Sequence, residues 1–507
     1  MARGAPDGDD RADPLAELND AQRRAAGAGD GVVRVIAGAG SGKTRTLVHR
    51  VAHLLARGVE PSSIVLLTFT RRAAHAMLAR AAALADDRAR RGGGGTFHGF
   101  AHQLLRAHGE RLGYGASFTV LDREDALDRV DAARTEFLAD RDGGRKRRFP
   151  RKQTIHRLLS MRINTGRALD ALLADESPHF AGEADALDAI GAIYGQRKRD
   201  HDVMDYDDLL VNLRDLLRDH DDVRAAIGRR LRHVLVDEYQ DTNRLQAHIT
   251  ALLAAEHGNL MVVGDDAQSI YAFRGAAVRN ILDFTEIFPD AETIKLERNY
   301  RSTQPVLDLA NAILAPSSVV IPKRLHTDRV DGPRPQLVRL ADEHAQADFV
   351  ARRILALRES AGVALGEIAV LFRAGWHAGA VELALGARNI PFRKFGGLRL
   401  AESAHVKDVT ALLRVALNPR EASAWFRMLQ KLPGIGPRTA QQLTDALVGA
   451  KLKGDLTPLR EASPRARRSA SALADFLDVL APALAVERSA SAAARAEDVM
   501  PATDVAS

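Results

Sequence analysis

Residues Gly31–Thr46 read GVVRVIAGAGSGKTRT. A β-branched run, Val32 to Ile36, leads into a glycine-rich octet, and an amphipathic run carrying Leu47, Val48, Val51 and Leu54 follows. The order is strand, loop, helix, which is what a phosphate cradle requires. Glycines let successive backbone N–H groups turn inward, and the next helix aims its positive end at the same point. The octet is Ala37, Gly38, Ala39, Gly40, Ser41, Gly42, Lys43 and Thr44. In such a loop the lysine reaches the β- and γ-phosphates of a nucleotide and the Thr hydroxyl ligates Mg²⁺. The usual pattern opens with Gly where this chain has Ala37. A glycine turn that binds nothing is the bland alternative, and the flanking strand and helix argue against it.

Working outward, apolar runs at Ser63–Thr68, His233–Glu238, Asn259–Asp265 and Thr293–Leu296 predict further buried strands, and 71–84 predicts a helix. Gly92 to Gly95 reads as a glycine turn. Strands alternating with helices imply an α/β fold with a parallel sheet and crossover connections. Alternation stops between 111 and 199, where helical periodicity takes over, broken by a basic loop at 141–152. A second α/β unit is expected from about 298, with strands at Gln336–Leu340 and Ile368–Phe372. Beyond about 400 the pattern is helical. Residues 1–14 and 486–507 have the composition of disordered tails.

The bulk composition of the 507 residues excludes little. Lys and Arg number 72 against 66 Asp and Glu, and the net charge of +6 implies no nucleic-acid partner unless the charge is clustered. There is no cysteine, so disulfides and thiolate metal sites are excluded. No apolar run is long enough to span a bilayer, and the N-terminal stretch lacks the apolar core of a signal peptide. The expectation is a cytoplasmic protein without a membrane partner.

Two further segments carry chemistry. Asp237 and Glu238 end an apolar strand. In a nucleoside triphosphatase the first carboxylate holds Mg²⁺ through water and the second orients or deprotonates the attacking water. An exposed acidic turn is the alternative. The loop at 264–275 follows another strand end and so faces the same cleft, since open α/β sheets place ligands beyond the carboxyl ends of their strands. Gln268 is then placed to sense the γ-phosphate, while Phe273 and Arg274 face a second ligand.

Taken in order, the segments LNDAQ, AGAGSGKT, TFTRRAA, GTFHGF, DYDDLL, VDEYQDTN, GDDAQSIYAFRGA, LERNYRST, AVLFR, IPFRKFGG and LPGIGPRT make the chain resemble the superfamily 1 DNA helicases of the UvrD, Rep and PcrA type, from Leu18 to about Thr439. The resemblance implies a RecA-like ATPase domain over 15–110 and 200–297, with a helical insertion at 111–199. It also implies a partial second RecA-like domain over 298–397 and a partial helical insertion at 398–485. ATP and Mg²⁺ are the implied cofactors, and single-stranded DNA and single/double-strand junctions the implied partners.

Residue by residue, the resemblance makes Gln22 a reader of the adenine edge and Tyr300 a stacking ring. Arg45 and Arg301 neutralise phosphate charge, Arg301 as an arginine finger, and Gln268 couples nucleotide state to DNA. Phe69, Phe273 and Phe372 match stacking positions; core packing fits Phe69 and Phe372 equally, while Arg274 beside Phe273 favours DNA contact there. Thr96, His98, Arg274 and Arg373 match backbone contacts, and the insertion carrying the basic loop lies along the DNA. Gly434 and Gly436 sit in a helix-hairpin-helix-like turn whose N–H groups can grip a phosphate.

Within the motifs, Arg71-Arg72 replaces the usual Asn-Lys and Ala267 stands where an acidic residue is common. Two further family segments, T-x-H-x-x-K-G-x-E and R-R-x-x-Y-V-A-x-T-R, have no counterpart between Gln441 and Ser507. The sequence therefore predicts a chain that stops inside the second domain's insertion. Two functions follow: an ATP-dependent 3′–5′ helicase, either split between two polypeptides or represented here by part of its length, or an ATP-gated DNA-binding module that hydrolyses poorly and unwinds nothing.

Overall fold

A computed structural model describes residues 13–85, 92–142, 149–270, 275–317, 321–395, 404–417, 419, 421–450, 455–464, 466–480 and 482. Phe273 and Arg274, the centre of the basic loop, and most of both tails lie outside them. The chain divides into two compact units, Met1–Gln336 and Leu337–Ser507.

The first unit is built on a parallel sheet. Its strands are β1 (Val32–Ala37), β2 (Ile64–Thr68) and β3 (Gly93–Thr96), and, beyond a small parallel pair β4 (Thr119–Val120) and β5 (Val203–Met204), β6 (His233–Val236), β7 (Leu260–Gly264) and β8 (Glu292–Leu296). The order β3-β2-β6-β7-β1-β8 places β1 between β7 and β8, in register from Val33↔Met261 and Val33↔Glu292. Every residue of β2, β6 and β7 is buried. That is why these strands read as unbroken apolar runs: helices cover both faces of a parallel sheet. One face packs Ile36, Val65, Leu67, Val234 and Val236, and the other packs Val35, Ile64, Leu66, Leu235 and Val263.

Helices α1 (Asp20–Ala26), α2 (Lys43–Ala56), α3 (Arg71–Leu84) and α4 (Phe97–His108) accompany the first three strands. A helical block follows: α5 (Arg123–Asp142), α6 (Lys152–Thr165), α7 (Leu169–Glu176) and α8 (Ala184–Asp200). It has its own core of Val130, Leu158, Leu172, Leu187 and Ile190. Next, α9 (Tyr206–Asp219), α10 (Asp221–Arg230) and α11 (Arg244–Ala254) return the chain to the sheet. Capping boxes start α1 at Asn19, α9 at Asp205 and α11 at Asn243. In each, the cap side chain takes an N–H that the first helical turn leaves orphaned.

The second unit packs the helix Glu343–Ala361 against Ala378–Gly386 through Ala347, Ala351, Ile354, Val381 and Leu385. Its later helices gather around Trp425, whose indole N–H donates to Pro419 O at 2.8 Å.

Two expectations differ from the structure. Gly93–Thr96 is the edge strand β3 rather than a turn, pairing with β2 from Val65↔Gly93 to Thr68↔Thr96. Its pairing is purely backbone, and a Cβ on Gly94 would lie 2.8 Å from Leu78 Cδ1. Glycine here lets α3 lie close over the sheet edge. Residues 298–336 pack with the first compact unit. Finally, Gln336–Leu340 and Ile368–Phe372 carry no ladder, and the described residues of the second unit form no strand. Leu337 and Leu371 are 86% and 92% exposed. An apolar run becomes a strand only when a neighbour takes its N–H and C=O groups.

Candidate active site

The loop after β1 has the backbone that the sequence demands. Gly40 and Gly42 take φ of 72° and 89°, in the left-handed region that favours glycine. A Cβ on Gly42 would stand 2.5 Å from Gln22 Nε2, so the position is closed sterically as well. Ser41 braces the turn by donating its hydroxyl to Gly38 O at 2.7 Å. Lys43 opens α2, whose first-turn N–H groups point back into the loop.

At the end of β6, Asp237 is buried, and its N–H donates to Leu67 O at 2.9 Å on β2. Burial first, and the charge of Glu238 second, push its pKa up to about 6, while Lys43 pulls the other way. Glu238 follows in the left-handed region, φ 50° and ψ 47°, at a cost of about 1–2 kcal/mol for a residue with a Cβ. That conformation turns its carboxylate onto Lys43, with Oε2 2.6 Å from Nζ. Lysine and glutamate from motifs 195 residues apart thus meet across the cleft.

Gln240, unremarked in the sequence, ties this pair to the next strand. Its Nε2 donates to Glu238 Oε2 at 2.9 Å, and its Oε1 accepts the Asp265 N–H at 2.9 Å. Gln268 in turn donates to Asp265 Oδ2 at 2.7 Å. A chain of contacts therefore runs from Lys43 through Glu238, Gln240 and Asp265 to Gln268.

The other wall comes from the segment after β8. Tyr300 N donates to Gly40 O at 2.9 Å, and its hydroxyl accepts from Asn19 Nδ2 at 2.7 Å. The ring remains 45% exposed beside α1 and the loop. Arg301 stands against Gly40, where a Cβ would lie 2.7 Å from Arg301 Cβ. Asn299, also missed in the sequence, ties the Arg301 backbone to the loop. Its Nδ2 donates to Ala39 O at 2.5 Å, and its Oδ1 accepts from Arg301 N and Ser302 N at 2.8 and 2.7 Å. The signal was present for both missed residues, since each lies inside a quoted motif, but side-chain partners are not written in a motif.

Other expected residues fall in varied settings. Gln22 lies beneath the loop with its Nε2 donating to Ser41 O at 2.9 Å and its Oε1 accepting from Asn19 N at 3.3 Å. To read an adenine edge it must release one of these. Arg45 is exposed and reaches Glu17, at 3.1 Å from Oε2, instead of the loop. Phe69, just past β2, is 49% exposed, which argues against the core-packing alternative. The Thr96 hydroxyl caps α4 by accepting from Gly99 N at 3.1 Å. His98 sits edge-on to Tyr206, and burial holds its pKa below the usual value, so near neutral pH it offers an N–H but no charge.

In the second unit, Phe372 and Arg373 are exposed on the extended segment. Gly434 takes φ of 82° in the turn before the helix Pro437–Gly449, which Gly436 caps.

A parallel sheet with a glycine phosphate loop at one strand end and a carboxylate pair at another defines a RecA-like P-loop fold. The family description UvrD/REP helicase N-terminal domain matches residues 18–289, and UvrD-like helicase C-terminal domain matches 294–456. The chain belongs to the UvrD/REP helicase family. DNA helicase II of Escherichia coli (strain K12) is 35% identical over 471 residues, covering 92% of this chain and 64% of that protein. ATP-dependent DNA helicase PcrA of Leuconostoc citreum is 35% identical over 438 residues, 84% of this chain and 56% of that one. ATP-dependent DNA helicase UvrD1 of Mycobacterium tuberculosis (strain ATCC 25618 / H37Rv) is 37% identical over 448 residues, 85% and 57% respectively. The chain thus spans between half and two thirds of the length of these relatives.

Proposed function

We propose that this chain carries the ATP-hydrolysing site of a 3′–5′ DNA helicase that moves along single-stranded DNA and acts at single/double-strand junctions. The observation that supports it most is the Lys43–Glu238 contact at the carboxyl ends of a parallel sheet, in a chain of the UvrD/REP family. Lys43 and the loop N–H groups bind the phosphates of ATP. Glu238 accepts a proton from the attacking water, Arg301 stabilises charge on the transferring phosphoryl group, and Tyr300 stacks on the base. Gln268 reports the γ-phosphate through Asp265 and Gln240. Phe69 and Phe372 stack on bases, which needs no sequence preference. Thr96, His98, Arg373, Gly434 and Gly436 hold backbone phosphates. An activity on ATP and chromosomal DNA belongs in the cytoplasm.

The residues fit Mg²⁺. Asp237 is a buried carboxylate whose raised pKa marks a charge short of compensation, and a divalent cation held by Asp237 and Thr44 supplies it. Mg²⁺ held there would supply charge neutralisation at the phosphates. ATP turnover measured with and without single-stranded DNA tests the reading, and absence of any stimulation by DNA rejects it.

A pH dependence follows. Asp237 is protonated below about 6 and must be ionised to bind the metal. Mg²⁺-dependent binding of a fluorescent ATP analogue should weaken by about tenfold per pH unit below that value. A profile flat from pH 5 to 8 removes Asp237 from the metal site. The same shift acts on stability with the opposite sign to an ion-paired carboxylate. The fold holds this proton more tightly than the unfolded chain, so this group's contribution falls as pH rises from about 4 to about 6.

The extended apolar segments 336–340 and 368–372 support a place for further strands, supplied by a complementing polypeptide. Co-expression with a polypeptide carrying the T-x-H-x-x-K-G-x-E and R-R-x-x-Y-V-A-x-T-R segments should raise unwinding above background, and no gain rejects the idea.

A further inference from the structure

The loop after β7 buries two adjacent carboxylates, Asp265 and Asp266, whose side chains are 2% and 0% exposed. Their cation comes from elsewhere in the chain. Lys323, 3% exposed, places Nζ 2.9 Å from Asp265 Oδ1 and in contact with Asp266 Oδ1. The Ile321 N–H donates to Asp266 Oδ2 at 2.7 Å, so backbone and side chain of one short segment grip the same loop. A charge triad this deep tolerates loss of one member poorly, because the partners are left buried and uncompensated.

What the segment does next gives the triad meaning. From Lys323 it runs on beside the Tyr300/Arg301 wall. Arg324 N donates to Glu297 Oε1 at 2.7 Å, and His326 O accepts the Asn299 N–H at 2.7 Å. Leu325 fills the space above Gly38, where a Cβ would lie 2.2 Å from Leu325 Cδ2. Arg329 then donates from Nη1 to Arg301 O at 2.8 Å. One strap of nine residues, 321 to 329, therefore touches the loop that orients Gln268, the phosphate loop and the arginine wall. Gln268 itself is held by Asp265, the carboxylate that Lys323 grips.

We infer that Lys323 is a positioning residue for nucleotide turnover: through Asp265 and Asp266 it makes the Gln268 loop and the Tyr300/Arg301 wall move as one body. This rests on the function proposed above. Lys323 touches no nucleotide. Its effect is on where Gln268 and Arg301 stand when the phosphates arrive, so it acts on the rate of the chemical step and leaves ATP affinity nearly unchanged.

The test uses the full chain with Lys323→Gln and Asp266→Asn combined, which keeps the triad's net charge and polar groups while cutting the ionic grip. The expected result is a thermal midpoint close to the parent's, KM for ATP within about twofold and kcat of DNA-stimulated turnover lowered about tenfold or more. A double variant that retains the parent's kcat overturns the inference and leaves Lys323 a structural ion. Hydrogen exchange provides a readout independent of turnover and of the variant's folding. In the parent chain, the non-hydrolysable analogue AMP-PNP with Mg²⁺ should slow exchange at 265–270 and 321–329 together. Protection at 265–270 without protection at 321–329 overturns the inference. A parent that turns over no faster with DNA, but shows the joint protection, sinks the helicase reading and leaves the mechanical link standing.

Discussion

Glu238→Gln will bind ATP and single-stranded DNA within about twofold of the parent and lose turnover by a factor on the order of 10²–10⁴, the usual contribution of a positioned general base. The substitution keeps the size and planarity of the side chain, and the left-handed turn at 238 depends on the backbone. Gln240 loses its charged acceptor but finds an amide oxygen in the same place. What disappears is the group that takes the proton. A second consequence separates this account from simple disruption. The charge of Glu238 is the second cause of the raised pKa of Asp237, after burial. Neutralising it lowers that pKa from about 6, so Mg²⁺-dependent nucleotide binding should persist to lower pH in the variant than in the parent. Single-turnover hydrolysis and a pH series of analogue binding read both effects. Turnover equal to the parent's removes Glu238 from catalysis, and an unmoved acid limb removes the electrostatic coupling.

The sequence told most where function and fold make the same demand on local chemistry. Val32–Ile36 had to be a buried strand and Gly38–Gly42 a tight loop, because no other residues both cover a parallel sheet and turn N–H groups inward. The same held for the apolar run ending in Asp237-Glu238. It told least where pairing is made by backbone alone. Gly93–Thr96 has no side-chain pattern to announce a strand, yet it forms the sheet edge. Conversely, Gln336–Leu340 and Ile368–Phe372 have strand-like sequences and no ladder, since pairing depends on a neighbour that local pattern does not encode.

Contacts between distant segments were equally silent. Gln240 and Asn299 lie inside recognisable motifs, but their roles emerge only when β7 and the wall after β8 are placed beside them. Lys323 carries no local signal at all, standing 57 positions from Asp266. Arg45 shows the reverse: a motif arginine that the family resemblance aims at phosphate faces Glu17.

Lys43→Ala is expected to abolish measurable binding of the ATP analogue and to lower turnover by at least 10²–10³-fold, the scale seen when one preorganised charge donor at a reacting group is removed. The expectation has a second part that comes from the site's geometry. Without nucleotide, Lys43 is the partner of Glu238, and it also draws down the pKa of Asp237. Removing it leaves two adjacent carboxylates at the end of β6 without the cation that faces them. A fully buried pair broken in this way loses about 3–5 kcal/mol, but Glu238 is 33% exposed and water screens it, so about 1–2 kcal/mol is the expected loss of stability. The pKa of Asp237 rises further above 6, and that proton relieves part of the repulsion at acid pH. The variant should therefore be more destabilised at pH 8 than at pH 5.5, by urea denaturation at the two values. Combining Lys43→Ala with Glu238→Gln should recover much of that stability and none of the turnover, because the repulsion is relieved while both phosphate contact and base are gone. A double variant no more stable than Lys43→Ala alone would show that the 2.6 Å pair does not link the two motifs energetically.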